Sequence, residues 1–338
     1  MKQDAPNAIQ IELVEGCNLA CSFCGIQAIR DNKADGPKNI HGRASSPYKI
    51  LTAELAQTIA DQIKQAMVNE HWNPRLEFAM HGEPTMHPDY CGIISIFRKT
   101  LPKTSIMMTS NGGGLLGDIT AKVNKLMEAG VNVLFLDNYD RIKIVDKIQE
   151  RYEGPYPVYQ YPQDKRGNPH RRRKVKEKDI VVGMDLTLAT DGTHSLVSNH
   201  AGSAFPLNHT QQGKRCAKPF RELSLRWDGN VALCCNDWAG VYKCGNILKE
   251  NITDLWQNNA FFAARTKLYH GQRDFGVCNG CDNVTLRNGL LPDRMGRAVL
   301  MEPDMFIDHL VKEAVQGEPY TPLVKKHYDF KNSSETSS

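Results

Sequence analysis

Three cysteines stand within eight residues near the start of the chain, as Cys17-x-x-x-Cys21-x-x-Cys24. Six more fall at 216, 234, 235, 244, 278 and 281, and only Cys91 lies between the two groups. A fold built from this chain must bring each group to a point, because clustered cysteines that are not disulfides are metal ligands or catalytic groups. The start, Met1-Lys2-Gln3-Asp4-Ala5-Pro6, lacks the apolar core of a secretory signal. The expected localisation is therefore cytoplasmic, in a reducing compartment where thiols stay free. Two separate metal sites account for this distribution.

With 338 residues, the chain has length for roughly two domains at ~150 residues each. Hydrophobic residues make up 41% and charged residues 24%, which excludes a disordered or low-complexity chain. No apolar run approaches the ~18 residues of a membrane span. The net charge of +4 is too slight to require a polyanionic partner. Strands are expected over 9–14, 75–80, 105–109, 131–136, 158–161 and 180–184. Helical patterns fall at 52–69, 88–101, 118–129 and 141–151, the first carrying Leu55, Ile59, Ile63 and Met67 at every fourth position. Strands alternating with helices imply parallel βα units, as an open barrel or a doubly wound sheet. Past Ala201 the pattern changes. Asp228-Gly229 between two β-rich runs predicts a hairpin, short helices follow near 255 and 261–268, and a last helix is expected over 303–315. Residues 332–338 are polar and read as a disordered tail.

The first cysteine loop directly follows a strand, at the edge where parallel sheets place their sites. Three thiolates suit an iron–sulfur cluster or zinc, and a closed structural site wants a fourth ligand. With Phe23 before Cys24, the chain resembles the radical S-adenosylmethionine (SAM) superfamily, whose motif is C-x-x-x-C-x-aromatic-C. The segment His81-Gly82-Glu83-Pro84 is similar to that family's G-G-E-P, with His81 where the first Gly usually stands. The resemblance implies that Gly82 and Glu83 hold the amino group of SAM. Thr109-Ser110-Asn111-Gly112 resembles the family's T-N-G strand end, which implies SAM contacts for Ser110 and Asn111. Asp137, ending the next strand, is the expected partner of the ribose hydroxyls. The structural alternative for these polar strand ends is helix capping.

In the second group, twelve residues and Gly229 follow Cys216, then four residues and Cys234, with Cys278-Asn279-Gly280-Cys281 44 positions beyond Cys234. This resembles the auxiliary-cluster domains of radical SAM enzymes, SPASM in full and twitch when shortened. No cysteine follows Cys281, so the short form is expected, with Cys216, Cys234, Cys278 and Cys281 around one cluster. Structural zinc is the alternative for four thiolates. The resemblance spans about residues 9–285. It implies a partial (β/α)6 radical SAM barrel over 1–200, a small α+β SPASM/twitch domain over 201–298, and a terminal helix and tail over 299–338. Cys235, beside a cluster ligand, is a possible hydrogen-atom donor to a substrate radical, against packing as its structural role; Cys91 and Cys244 read as core.

Two other motifs compete. Gly112-x-Gly114-x-x-Gly117 spells a dinucleotide fingerprint, with Asp137 about 20 residues on, and favours a nicotinamide enzyme. It does not sit in the first βα unit, and it leaves the cysteines unexplained. His81-x-Glu83 with Cys278-x-x-Cys281 spells fragments of a zinc deaminase, but almost 200 residues separate them.

The resemblance implies two [4Fe–4S] clusters, one binding SAM, an external one-electron donor of flavodoxin or ferredoxin type, and hydrogen abstraction by a 5′-deoxyadenosyl radical. Oxidation, epimerisation or rearrangement can follow. With the motif opening at residue 17 there is no upstream room for a leader-binding domain, which favours a small-molecule or nucleotide-like substrate over a peptide. Lys165 to Lys178 holds eight Lys or Arg against one acid, a solvated loop or a clamp for phosphates of a nucleotide or nucleic acid. A polymer, either a peptide or a nucleic-acid base, is the alternative substrate, and a zinc-stabilised binding module the alternative to an enzyme. Asp185, His194, Asn199 and His200 are further polar groups expected near the cavity.

Overall fold

A computed structural model describes residues 5–19, 21, 24–26, 48–139, 143–160, 175–185, 200–202, 211–283 and 304–315. Phe23, His194, Asn199, residues 165–174 and the tail lie outside them, and of Asp185 only the backbone is described.

The elements run in chain order as β1 (Ala8–Ile11), β2 (Val14–Glu15), β3 (Lys49–Ile50), α1 (Ala53–Asn69), β4 (Arg75–Phe78), α2 (Tyr90–Thr100), β5 (Ile106–Ser110), α3 (Ile119–Ala129), β6 (Val133–Asn138), α4 (Ile144–Arg151), β7 (Val158–Gln160) and β8 (Asp179–Asp185). Past residue 200 come α5 (Lys218–Arg221), β9 (Glu222–Leu225), β10 (Asn230–Ala232), β11 (Lys243–Asn246), α6 (Ile252–Gln257), α7 (Asn259–Tyr269) and α8 (Met305–Ala314). One nine-stranded sheet takes the order β11-β10-β9-β1-β4-β5-β6-β8-β7. The strands from β9 through to β7 pair in parallel, while β10 and β11 are antiparallel. All six strands expected in the first half are present. The run expected over 9–14 divides at Glu12, whose carboxylate is drawn into buried polar contacts, so that β2 leaves the sheet to pair with β3.

Burial explains the local structure. β1 is flanked on both sides and fully buried, with Ile9 beside Leu76 and Leu223, and Ile11 beside Phe78 and Leu225. α1 begins where the Thr52 side chain accepts the Leu55 N–H, and it buries Leu55, Ala56, Ile59, Ala60, Ile63 and Ala66. Each isoleucine of that stripe contributes about 1.5–3 kcal/mol by leaving water. The Asp228-Gly229 hairpin joins β9 to β10, with Gly229 at φ +81°. Cys91 and Cys244 are core residues. Among the described residues no helix is long and apolar enough to cross a membrane.

Parallel pairing puts the loops after β1, β4, β5 and β6 at one edge of the sheet. Those loops carry Cys17 to Cys24, His81 to Glu83, Asn111, and Tyr139. β9 lies directly against β1 and β10 runs back antiparallel to it, and the chain past β10 returns to this edge, where the Trp238 carbonyl accepts from Arg226 Nη1 at 3.1 Å.

Candidate active site

Cys17, Cys21 and Cys24 open on one cavity of about 250 Å³, whose wall also includes Gly82, Glu83, Ser110 and Asn111. The expected N-terminal residues therefore converge from three separate loops. The Cys17 sulfur accepts the Leu19 N–H at 3.3 Å and the Asn111 Nδ2–H at 3.4 Å, and Cys21 Sγ lies 3.4 Å from the Tyr139 carbonyl. Gly82 has φ +97°, and a Cβ there would stand 2.3 Å from the Gly16 carbonyl and 2.4 Å from that of Val14. Only glycine lets the two loops meet, and the Glu83 N–H then closes them by donating to Gly16 O at 2.8 Å. Met80, on the cavity wall, has φ +81°, a conformation that costs of order 1–3 kcal/mol in a non-glycine residue.

Glu83 organises this corner through its carboxylate. Oε1 accepts from Thr85 N at 3.0 Å, Thr85 Oγ1 at 2.5 Å and Ser110 Oγ at 2.5 Å, and Oε2 accepts from Asn111 N at 2.7 Å. Burial pushes its pKa up against these donors. With four donors in place the carboxylate fixes the loop after β4 to the end of β5. Ser110 is likewise engaged, accepting from Gly112 N at 2.8 Å. Tyr139 lines the cavity, and its hydroxyl donates to Asp137 Oδ2 at 3.1 Å. Burial, with Asp137 beside it, holds the Tyr139 pKa well above the ordinary value.

The far wall comes from beyond residue 200. Trp238, on the turn after β10, lines the cavity with its ring centroid 4.4 Å from that of His81 and 5.0 Å from that of His200. Burial, with His81 and Lys218 adding, lowers the His200 pKa to about 4. His81 Nδ1 faces Glu12 Oε1 at 3.0 Å, and Nε2 faces the Cys235 carbonyl at 3.0 Å. Both ring nitrogens are thus taken, which excludes the deaminase-like ligand set. The dinucleotide fingerprint also fails in place. The Gly113 N–H is held by Asn111 Oδ1 at 2.7 Å and the Gly114 N–H by Thr85 Oγ1 at 3.0 Å, so the amides a pyrophosphate needs are spent. The start of α3 is occupied by the Asp118 carboxylate.

Cys216, Cys234, Cys278 and Cys281 are all buried and near one another. Burial pushes the Cys234 and Cys278 thiols well up, and the neighbouring sulfurs push further: Cys278 and Cys281 act on Cys234, Cys281 and Cys216 on Cys278. Cys281 is pushed up to about 11, by burial first. Among the described residues no three such side chains are drawn as close as a single bound ion would draw them. The fit to an iron–sulfur cluster lies in the donor set, four thiols in one dry pocket, where a polycation relieves their repulsion. Arg273, 1% exposed, ties this pocket together by donating to the carbonyls of Lys214, Arg215 and Asn283. Cys235 points elsewhere, its sulfur accepting from Lys218 Nζ at 3.1 Å. Lys178 of the basic stretch is spent on the Met127 and Val131 carbonyls at 2.6 and 2.8 Å.

Trp238, Tyr139, Arg273 and Lys218 did not stand out in the sequence. The signal available for Trp238 was an aromatic four positions after a patterned cysteine; for buried Arg273 and Lys218 there was none.

Comparison with known proteins agrees with this geometry. The model of the SPASM iron–sulfur cluster-binding domain matches residues 216–282, which hold all four cysteines. The chain is similar to the S-adenosyl-L-methionine-dependent 2-deoxy-scyllo-inosamine dehydrogenase of Niallia circulans, at 19% identity over 281 residues, 82% of this chain and 94% of that protein. It shares its fold with the crystal structure of BtrN in complex with AdoMet and 2-DOIA, at TM-score 0.56 and 19% identity, over 84% of this chain and 95% of that one. Selenomethionine BtrN in an open conformation matches at TM-score 0.52 and 18% identity, over 83% of this chain and 94% of that one. The chain thus joins a segment matching the SPASM iron–sulfur cluster-binding domain to a sheet with the fold of BtrN, and Cys17, Cys21 and Cys24 stand at the edge of that sheet.

Proposed function

We propose that the chain abstracts hydrogen from a small-molecule substrate and oxidises it. Cys17, Cys21 and Cys24 hold a [4Fe–4S] cluster that binds SAM, and Cys216, Cys234, Cys278 and Cys281 hold an auxiliary [4Fe–4S] cluster, which would take up the second electron of the oxidation while the accompanying proton passes to solvent. When bound and reduced by an external one-electron donor of flavodoxin or ferredoxin type, the first cluster and SAM supply a 5′-deoxyadenosyl radical. The protein supplies position and seclusion. The Gly82–Glu83 main chain, kept in place by the Glu83 side chain, meets the amino group of SAM. Asn111 orients Cys17 through its 3.4 Å hydrogen bond, and Tyr139, braced by Asp137, covers the nucleoside side. Trp238 closes the far wall and excludes water. His200, kept neutral by burial, packs its ring against Trp238 at that wall.

The convergence of the three cysteines with Gly82, Glu83 and Asn111 on one cavity carries this reading. Oxidation is favoured over epimerisation by the SPASM match and by the similarity to a dehydrogenase. The cytosol is the fitting compartment for ten free thiols. The test is anaerobic reconstitution and reduction with SAM present. Expected are about eight iron atoms per chain, on a two-cluster count, and release of 5′-deoxyadenosine and methionine, both lost in Cys24→Ala to the extent of one cluster and all cleavage. Zinc without iron, or cleavage equal in Cys24→Ala, overturns the reading.

A further inference from the structure

Trp238 belongs to the segment that matches the cluster-binding domain, yet its ring packs on the first cysteine loop. A Cβ at Gly25 would stand 2.8 Å from Trp238 Cδ2, 2.9 Å from Cγ and 3.0 Å from Cε2, so the indole presses on the residue directly after Cys24. Gly25 has no left-handed φ that would call for glycine. The ring is what calls for it. That ring cannot retreat. Trp238 is 4% exposed, its ring packs on His81 at 4.4 Å and on His200 at 5.0 Å, and its carbonyl accepts from Arg226 Nη1 at 3.1 Å. His81 is itself held at both nitrogens, by Glu12 and by the Cys235 carbonyl. On the other side of the contact, the Cys24 N–H donates to the Cys21 carbonyl at 3.1 Å, which ties the two thiol-bearing residues into one turn.

We propose that Trp238 is a positioning residue for the first cluster: packed on Gly25, it fixes where the Cys24 thiol stands and so completes the SAM site from beyond residue 200. The inference rests on the reading that Cys17, Cys21 and Cys24 hold the cluster that binds SAM. The orientation of a cluster on three thiolates follows the three sulfurs, so moving one of them turns the corner left for SAM. A misplacement of order an ångström costs about a hundredfold in rate. Gly25 and Trp238 therefore act as a pair, and a change at one alters what a change at the other does.

The test is a double-mutant cycle on the full chain, reconstituted anaerobically. Two quantities are read: the EPR spectrum of the reduced protein before and after SAM is added, and the rate of reductive SAM cleavage. Gly25→Ala should keep about eight iron atoms per chain, lose the spectral change that SAM induces, and lose about a hundredfold in cleavage rate. Trp238→Ala should lower the rate by itself, and in that background Gly25→Ala should cost nothing further, because the methyl group then has room. Should Trp238→Ala not fold, the response of Gly25→Ala to SAM decides. A Gly25→Ala protein that answers SAM as the parent does, equal losses from Gly25→Ala in both backgrounds, or a Trp238→Ala rate equal to the parent's overturns the role of Trp238 while the cluster assignment stands. A parent whose spectrum does not change with SAM overturns the assignment and the proposal with it.

Discussion

The imidazole of His81 meets the main-chain carbonyl of Cys235 at 3.0 Å, linking the loop after β4 to the turn after β10 across 154 residues of sequence. On its other side the same ring meets Glu12 Oε1 at 3.0 Å, with neither side chain exposed. Replacing His81 by the glycine usual at this position removes both contacts and leaves a buried carboxylate and carbonyl short of a partner. His81→Gly is expected to lower stability by about 2–4 kcal/mol, read as a shift of the denaturation midpoint. An unchanged midpoint would mean that the ring is an ornament of the fold and not a tie between its halves.

Gly82→Ala is expected to fail at the first cluster. Its Cβ would fall within 2.4 Å of two backbone carbonyl oxygens, which cannot yield without parting the loops. Iron should drop from about eight to about four atoms per chain, with SAM cleavage lost. Gly117 is the matched control, because it has the same φ of +97° but a Cβ would meet only Lys122 Nζ at 3.7 Å. Gly117→Ala should cost about 1–2 kcal/mol from the backbone alone and keep its iron. Equal iron in both variants would show that close approach is not what Gly82 provides.

Most of the barrel was legible in the sequence because its strands are short apolar runs bounded by turn residues, and α1 carries its core face at helical spacing. The cysteine pattern likewise marked both thiol groups. Contacts between distant segments left no such trace. Nothing about residues 222–225 announces a parallel pairing with β1, and nothing marks His81 as the partner of Cys235. Asp137 and Cys235 stand out by their place in the chain, but what a side chain meets depends on neighbours: the Tyr139 hydroxyl engages Asp137, and Lys218 engages the Cys235 sulfur.

Acid should loosen the junction between β2 and the β9–β10 hairpin through Glu15. Its Oε1 accepts from Lys49 at 2.6 Å, its Oε2 from Arg226 and, at 3.3 Å, from the Trp227 indole. Burial alone would raise its pKa, but Lys49 and Arg226 outweigh it and hold the group below the ordinary 4.5. A carboxylate with a depressed native pKa contributes stability that is complete above 4.5 and is lost as pH falls through the native value. The melting temperature of wild type should therefore decline below that pH, while Glu15→Gln starts lower at neutral pH and declines less. Parallel curves for the two proteins would rule Glu15 out as the source.

Arg273 offers the sharpest separation of the two cluster sites. One guanidinium donates to Lys214 O at 2.8 Å, Arg215 O at 3.1 Å and Asn283 O at 3.0 Å, and so spans the backbone next to Cys216 and the backbone two residues past Cys281. Arg273→Met keeps much of the volume and removes all three bonds, leaving carbonyls unsatisfied at a cost of about 2–5 kcal/mol. Lysine recovers only part of this, since a point charge cannot reproduce the planar fork. The strain falls on the segments carrying Cys216 and Cys281, which are separate in the chain from the one carrying Cys17, Cys21 and Cys24. In Arg273→Met the auxiliary cluster should be lost on purification, with about four iron atoms per chain remaining, and SAM cleavage should survive because the first site is untouched. Full iron in this variant would show that the four cysteines are held in register without the guanidinium, by the β9–β10 hairpin and α7 alone.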